Sequence, residues 1–335
     1  MSQYKVAVVG ATGTVGREML MTLAERKFPA SKVYAIASES SIGKEVSYGE
    51  NETLNIEALP NFDFSKADIA LFSAGSDVSK KYAPKIAEKG CTVIDNSSAF
   101  RMDPEVPLVV PEVNGDILTQ GLPKNIIANP NCSTIQLVMA LKPLQKLSPV
   151  KRVVASTYQS VSGAGRKAMD ELFAQTRAIF VNDVPEKSCF TKQIAFNTIP
   201  QIGAFMDTGD THEERKMVEE TPKIMGCELP LAVTCVRVPV FTGHAVSATI
   251  EFESEVSVAA ARKALKAFPG VSVIDHHLEV GFVTQDECVG EDMVYVSRIR
   301  KDPTVPHGLS LWIVADNLRK GAALNAVQIA EEIIK

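Results

Sequence analysis

The chain has 335 residues, a net charge of −5 and 45% hydrophobic residues. That length supports two domains with full cores, and no apolar run approaches a membrane span. Met-Ser-Gln-Tyr-Lys leads straight into a strand rather than a signal peptide, and no basic cluster suits nucleic acid. A cytoplasmic protein is therefore expected, with neither a membrane nor a nucleic-acid partner. The six cysteines lie far apart without a C-x-x-C pair, which is neither a disulfide framework nor zinc-ligand spacing. His276-His277 is the only histidine pair; adjacent side chains diverge, so no metal is expected.

In chain order, KVAVV at 5–9 is a continuous apolar run of the kind found in a buried parallel strand. GATGTVG follows, then REMLMTLAER at helical spacing. Short strands recur at Val33–Ala37, Ile69–Phe72 and Cys91–Ile94, with a helix-like segment Val78–Lys89 between the last two. Strands alternating with helices predict a doubly wound α/β domain over about the first 128 residues. Ile126–Ala128 reads as one more strand, which Pro130 ends, and helical spacing starts at Ser133. From Lys151 the pattern changes to long strands: RVVASTYQS, LAVTCVRVPV, HAVSATIEF, MVYVSRIR and LSLWIVAD. These predict a mostly antiparallel sheet with one face covered. Residues 181–230, rich in Pro, Asp, Glu and Gly, read as a surface excursion with a short helix around Glu213–Glu220. Leu318–Ile334 reads as a closing helix that returns to the first domain.

Three places carry chemistry. The turn Gly10-Ala-Thr12-Gly13-Thr14-Val15-Gly16 lies between a strand and a helix, where glycines let backbone approach a pyrophosphate at the helix N-terminus. Cys132, in NPNCSTIQ, falls at or next to a helix N-terminus, whose unpaired N–H groups favour a thiolate. The same cysteine reads equally well as a small buried residue in a tight turn. A dinucleotide site with such a cysteine points to redox chemistry at the acyl level through a thioester, which needs an acid or base. His244 opens a strand just after Thr242-Gly243 and has the best setting of the five histidines, against the alternative of a structural turn histidine. Arg237 stands inside the apolar strand VTCVRVPV and must be paired, either with a substrate carboxylate or with a structural acid.

The chain resembles aspartate-β-semialdehyde dehydrogenase from end to end. The resemblance rests on GATGTVG, DNSSAFR at 95–101, NPNCSTIQ at 129–136, YQSVSGAG at 158–165, HEERKM at 212–217 and RVPVFTGH at 237–244, all in order. It implies that Cys132 forms the acyl-enzyme, His244 is the acid/base and Gln159 orients the acyl intermediate. It implies further that Arg237 holds the substrate α-carboxylate and Glu213 meets the amino group. Arg101, Asn131 and Lys216 match the site that holds inorganic phosphate, where two cations and an amide make a sensible clamp for a dianion. Ser162 and Gly163 would let backbone approach the nicotinamide end, and Asn317 matches a cofactor contact. The implied fold is an N-terminal Rossmann-type domain, 1–128 with 317–335, and an α+β catalytic and dimerisation domain, 129–316. The implied reaction is reductive dephosphorylation of 4-phospho-L-aspartate to L-aspartate 4-semialdehyde, in lysine, methionine and threonine biosynthesis, by a homodimer. Related acyl-phosphate reductases share the cysteine and histidine. N-acetyl-γ-glutamyl-phosphate reductase binds no free amine and so has no use for Glu213, and glyceraldehyde-3-phosphate dehydrogenase has none for Arg237. A nucleotide sensor that lost catalysis would not keep the whole set.

For the cofactor, the resemblance favours NADP, with NAD as the less preferred alternative. Relatives that prefer NADP usually place an arginine two residues after the serine that ends the second strand; here that position is Ser40. The hydroxyls of Ser38, Ser40 and Ser41 can still donate to a 2′-phosphate, with Lys44 lending charge, whereas Glu39 facing the ribose would suit the 2′-OH of NAD.

Overall fold

The computed structural model describes residues 3–276 and 278–335, so the pair His276-His277 falls partly outside the described residues. The chain divides into two compact units, residues 1–131 with 322–335, and residues 132–321.

The first unit begins with β1 (Tyr4–Val9), α1 (Thr14–Glu25), β2 (Ala30–Ala37), β3 (Glu45–Tyr48) and β4 (Glu52–Ala58). It continues through β5 (Ile69–Phe72), α2 (Ser76–Ala87), β6 (Thr92–Asp95), the single turn α3 (Pro111–Asn114) and β7 (Ile126–Ala128). The strands form one sheet in the order β3-β4-β2-β1-β5-β6-β7, parallel except for β3. Val6–Val9 are fully buried because β1 has a parallel neighbour on each side, β2 and β5. The strand order reverses between β1 and β5, the crevice where doubly wound sheets bind ligands. The glycine turn sits there. Gly10 has φ +87°, and a Cβ on it would overlap the Ser73 carbonyl just after β5. A Cβ on Gly16 would overlap the Gly10 carbonyl, so the tight packing of turn against helix depends on bare backbone.

The second unit holds α4 (Cys132–Gln145), β8 (Val150–Gln159), α5 (Arg166–Phe180), α6 (His212–Met225), β9 (Leu231–Arg237) and β10 (His244–Phe252). After these come α7 (Val258–Lys266), β11 (Val271–Val273), β12 (Val294–Asp302) and β13 (Gly308–Ala315). The sheet order is β11-β12-β13-β10-β8-β9; its three central pairings are antiparallel, and β11·β12 and β8·β9 at the edges are parallel. Helix α4 is apolar nearly all round because it is covered on both sides, by β8, β10, β12 and β13 beneath and by α6 and α7 beside it. α6 is longer than the expected 213–220 and runs through Pro222 to a left-handed Gly226. Its start is fixed by a capping box: the Glu214 backbone N–H donates to the Thr211 hydroxyl and the Thr211 N–H donates to the Glu214 carboxylate.

The final helix is not continuous from Leu318. Asp316 accepts hydrogen bonds from the Leu318 and Arg319 N–H groups on its side chain, and from Gly321 N–H on its carbonyl, an i to i+5 bond. A π-helical turn, Arg319–Ala323, follows, and then α8 (Leu324–Ile333). α8 belongs to the first unit, packing on α1, α3, β5 and β6 and burying Ala326, Val327, Ile329 and Ala330 in that core.

Gly16→Ala is expected to lower stability by about 1–3 kcal/mol, the usual cost of forced overpacking. It should also weaken nucleotide binding, because the first turn of α1 must move. Gly75→Ala removes a glycine that has open space around it; its positive φ alone should cost less. Thermal unfolding and cofactor titration of both variants would check this, and an undisturbed Gly16→Ala would show that the turn is loose.

Candidate active site

The register of the second sheet lines up three of the candidate residues. Gln159, the last residue of β8, pairs with His244, the first of β10, and with Arg237, the last of β9. Directly paired residues project to the same face, so Arg237, Gln159 and His244 form one row at the end of three adjacent strands. Glu213, in the first turn of α6, reaches the row: the Gln159 side-chain amide donates to its carboxylate at 3.1 Å. The Gln159 carbonyl accepts from the Thr157 hydroxyl at 3.0 Å, which fixes the orientation of the amide. Lys216 Nζ, one turn along α6, donates to the other Glu213 oxygen at 2.9 Å. Glu214 points away from the row and accepts from the Cys235 backbone N–H, tying α6 to β9.

Arg237 is buried, and its Nη1 donates to the Ser160 carbonyl at 2.6 Å. Burial lowers its pKa, with the Glu213 carboxylate and the Cys132 and Cys235 sulfurs pushing back. No carboxylate lies within ion-pair distance of it among the described residues, which leaves the rest of the guanidinium fork for a ligand. His244 is completely buried, and its pKa is lowered from 6.5 to about 3, first by burial and second by the Arg237 charge. The imidazole is therefore neutral near pH 7. Its Nε2 lies 3.5 Å from the Gln159 amide nitrogen, and a Cβ on Gly163 would come within 3.2 Å of both that Nε2 and Arg237 Nη1. Gly163 thus keeps the space above the row open.

Cys132 is the first residue of α4 and is half-buried, at the end of the helix where the macrodipole favours a negative charge. The π-helical turn comes against it: a Cβ on Gly321 would lie 2.9 Å from the Cys132 Cβ. Of the other cysteines, Cys91, Cys235 and Cys288 are buried, and burial raises all three thiols, Cys91 and Cys288 to about 12.

Asn131 is buried immediately before Cys132. Arg101, in the first unit, is also buried, and it donates from Nε to the Asn129 carbonyl and from Nη2 to the Asn96 carbonyl, each at 2.9 Å. Ser162 and Asn317 are buried against each other. Ser38 and Ser40, beyond β2, are exposed with their hydroxyls 2.9 Å apart, whereas Ser41 is buried. The glycine turn suits a pyrophosphate: α1 starts at Thr14 with neither a side-chain cap nor an acid in its first turn. Among the described residues no group of three or more His, Cys, Asp or Glu could hold a metal, and no helix is long and apolar enough to cross a membrane. Sequence reasoning missed Thr157, Ser160 and Glu214. The T-x-x-E spacing of Thr211 and Glu214 was a usable signal for the third.

Comparison with known proteins gives the class first. A family model described as "Semialdehyde dehydrogenase, NAD binding domain" matches residues 5–120, and one described as "Semialdehyde dehydrogenase, dimerisation domain" matches residues 141–320. The chain thus has the two parts of a pyridine-nucleotide-dependent semialdehyde dehydrogenase. It is 52% identical to the aspartate-semialdehyde dehydrogenase of Rickettsia bellii, over 99% of this chain and 98% of the relative. It is also 52% identical to that of Aquifex aeolicus, with the same coverage. A crystal structure of aspartate semialdehyde dehydrogenase II from Vibrio cholerae, complexed with ASA, superposes with a TM-score of 0.97 at 46% identity, covering 100% of this chain and 99% of that one. The chain belongs to the aspartate-semialdehyde dehydrogenase family.

The buried neutral imidazole has a consequence for stability. The unfolded ring takes up a proton below its ordinary value of 6.5, whereas the folded ring does so only near 3. Between those values the unfolded state binds more protons, so stability falls as pH falls, by up to about 1.4 kcal/mol per pH unit. Urea unfolding at pH 7 and pH 5 should show wild type losing about 2 kcal/mol more than His244→Gln. Equal losses would mean that the ring takes up its proton in the folded state as readily as in water.

Proposed function

We propose that this chain catalyses the reversible reductive dephosphorylation of 4-phospho-L-aspartate to L-aspartate 4-semialdehyde, with NADP as the preferred nucleotide, in the biosynthesis of lysine, methionine and threonine. The observation that carries this reading is the row Arg237–Gln159–His244 beside Glu213, in a chain similar over its whole length to a protein crystallised with ASA. A substrate with an α-carboxylate and an α-amine needs one cation and one acid held apart, and Arg237 and Glu213 supply them. The Glu213 position also disfavours N-acetyl-γ-glutamyl-phosphate reductase, whose substrate has no free amine.

The Cys132 thiolate attacks the acyl carbon, the C–O bond to phosphate breaks, and a thioester remains on the sulfur. By the resemblance, Arg101, Asn131 and Lys216 are each assigned to the departing dianion. Gly10, Thr12, Gly13, Thr14, Val15 and Gly16 would bind the dinucleotide at the start of α1, with Ser162, Gly163 and Asn317 toward the nicotinamide end. Nicotinamide, when bound, supplies the hydride. Gln159 orients the acyl group. The thiohemiacetal on Cys132 then expels the thiolate, with His244 handling the proton at the acyl oxygen. Matching the dimerisation family model supports a homodimer as the working form.

Phosphate-dependent oxidation of aspartate semialdehyde, assayed with NADP and with NAD, tests the reading; no turnover with either would overturn it. Cys132→Ala is expected to abolish turnover while leaving nucleotide binding nearly intact, and an alkylating agent should inactivate through Cys132. Inactivation through Cys227 or Cys235 would remove that assignment. Arg237→Lys should raise KM for the semialdehyde strongly, because an ammonium cannot reproduce a planar two-donor fork.

On the nucleotide side, Ser38 and Ser40 are exposed, with their hydroxyls paired to each other, and a serine stands at the position where NADP-preferring relatives carry arginine. A charge-assisted contact is worth about 1.5–3 kcal/mol, so Ser40→Arg should raise the NADP over NAD preference in kcat/KM by roughly ten- to a hundredfold. No gain over a wild type already locked to NADP would place the phosphate elsewhere.

A further inference from the structure

Gln159 is the member of the row whose two side-chain ends differ chemically, so the end that faces the substrate decides what it can do. Its nitrogen lies 3.1 Å from Glu213 Oε1, and Lys216 donates to the other oxygen of that carboxylate at 2.9 Å. An ionised carboxylate can only accept, so the amide end against it is the N–H end. The carbonyl end is thereby turned toward Thr157, which stands two residues back on the same face of β8, with its hydroxyl 3.0 Å away. An amide oxygen cannot donate, so the single hydroxyl proton of Thr157 is committed to it.

Thr157 is completely buried and Gln159 is 1% exposed, so bulk water cannot replace this bond. The Cys235 thiol, raised above its ordinary range by burial, hydrogen-bonds the same hydroxyl. Being protonated, it can donate to the Thr157 oxygen while Thr157 donates onward to Gln159. At the other end, the Gln159 nitrogen has a second N–H. This nitrogen is 3.5 Å from His244 Nε2, long for a hydrogen bond, and Gly163 keeps the space beside them open. In the proposed chemistry His244 handles the proton at the acyl oxygen, which puts that oxygen in the same space.

We propose that Thr157 is a positioning residue: by holding the Gln159 carbonyl, it keeps the amide N–H end over the row as a fixed donor to the acyl oxygen. The proposal rests on the functional reading above and deepens it, because it gives Gln159 one chemical direction. Negative charge gathers on that oxygen in each addition at the acyl carbon, and a donor already held in place needs no reorganisation. A swinging amide would bring its own carbonyl oxygen there, whose lone pairs repel the charge. Glu213 alone does not suffice, because the same chemistry gives it the substrate ammonium. Thr157 is a tether that no substrate group reaches.

Thr157→Val keeps the branched shape and removes the hydroxyl, whereas Thr157→Ser keeps the hydroxyl. Thr157→Val should lower kcat for semialdehyde oxidation roughly tenfold, with the semialdehyde KM and the NADP Kd within about twofold; Thr157→Ser should stay within about threefold of wild type. A double-mutant cycle separates positioning from a structural loss. In a Gln159→Met background, Thr157→Val should change kcat by less than about twofold, because the group it acts through is gone. An undiminished tenfold loss there would overturn the proposal. Protein carrying 15N-glutamine gives a second reading without substrate, since NMR relaxation of side-chain amides reports their order and Gln159→Met assigns the signal by its loss. The Gln159 amide should be rigid in wild type and in Thr157→Ser, and mobile in Thr157→Val. An amide as rigid in Thr157→Val as in wild type would also overturn the proposal. Should Thr157→Val fail to fold, Thr157→Cys, with a weaker donor, takes its place in both measurements. A Gln159 amide that loosens in Thr157→Val, in a protein without activity on aspartate semialdehyde, would remove the substrate reading and leave the tether standing.

Discussion

Backbone pairing between β9, β8 and β10 is the constraint on which the second unit's chemistry depends. Arg237, Gln159 and His244 are distant in sequence, yet they stand side by side because they occupy matching rungs of one hydrogen-bonded ladder. Strand side chains alternate between faces, so a slip of a single residue would turn one member of the row to the opposite face. The bonds that fix Gln159 and His244 are therefore auxiliary to a placement that the sheet has already made. Thr157 sets which end of the Gln159 amide faces Glu213, and Ser160 sets which nitrogen of His244 faces outward. The short connection from β8 through Ser160 to Gly163 brings backbone over the row, where a Cβ would crowd Arg237 and His244.

Charge in the row is balanced at short range. A buried guanidinium beside a buried imidazole would be costly if both were ionised, and the imidazole is the group that stays neutral. Glu213 compensates Arg237 from α6 while being held by Lys216 and Gln159. The capping box at Thr211 and Glu214 has the same purpose one residue along. It starts the helix at a defined point and, through the Glu214 bond to the Cys235 N–H, anchors that point to β9. Sequence-adjacent glutamates thus divide the work, one facing the row and the other holding the helix in place.

Much of this was legible in the sequence, and the parts that were not share a physical cause. The buried strand at 5–9 and the glycine turn announced themselves because a strand covered on both faces needs an unbroken apolar run. The strands β3 and β4 did not, because EVSY and ETLNIEA are half exposed and carry the polar residues of a sheet margin. Helical spacing at 318–334 was read correctly as helix in its later part, but periodicity cannot distinguish an i to i+5 turn from an α-turn. Within the site, residue types in motifs gave Cys132, Gln159, Arg237 and His244 as candidates. The bonds that orient them were invisible because they run from backbone groups and small hydroxyls, which leave no mark in a composition pattern.

The first unit is made from two separated stretches of chain, with 190 residues of the second unit between them. Its core includes Ala326, Val327, Ile329 and Ala330 of α8, so β1, among the first elements to leave the ribosome, belongs to a unit whose last helix is among the last. At typical synthesis rates of about 5–20 residues per second, the nucleotide unit waits roughly ten seconds or more for that helix. The inserted unit is continuous and has every element it needs by the time Gly321 is made. The core of the first unit therefore cannot be complete until α8 has been made, after the whole of the second unit.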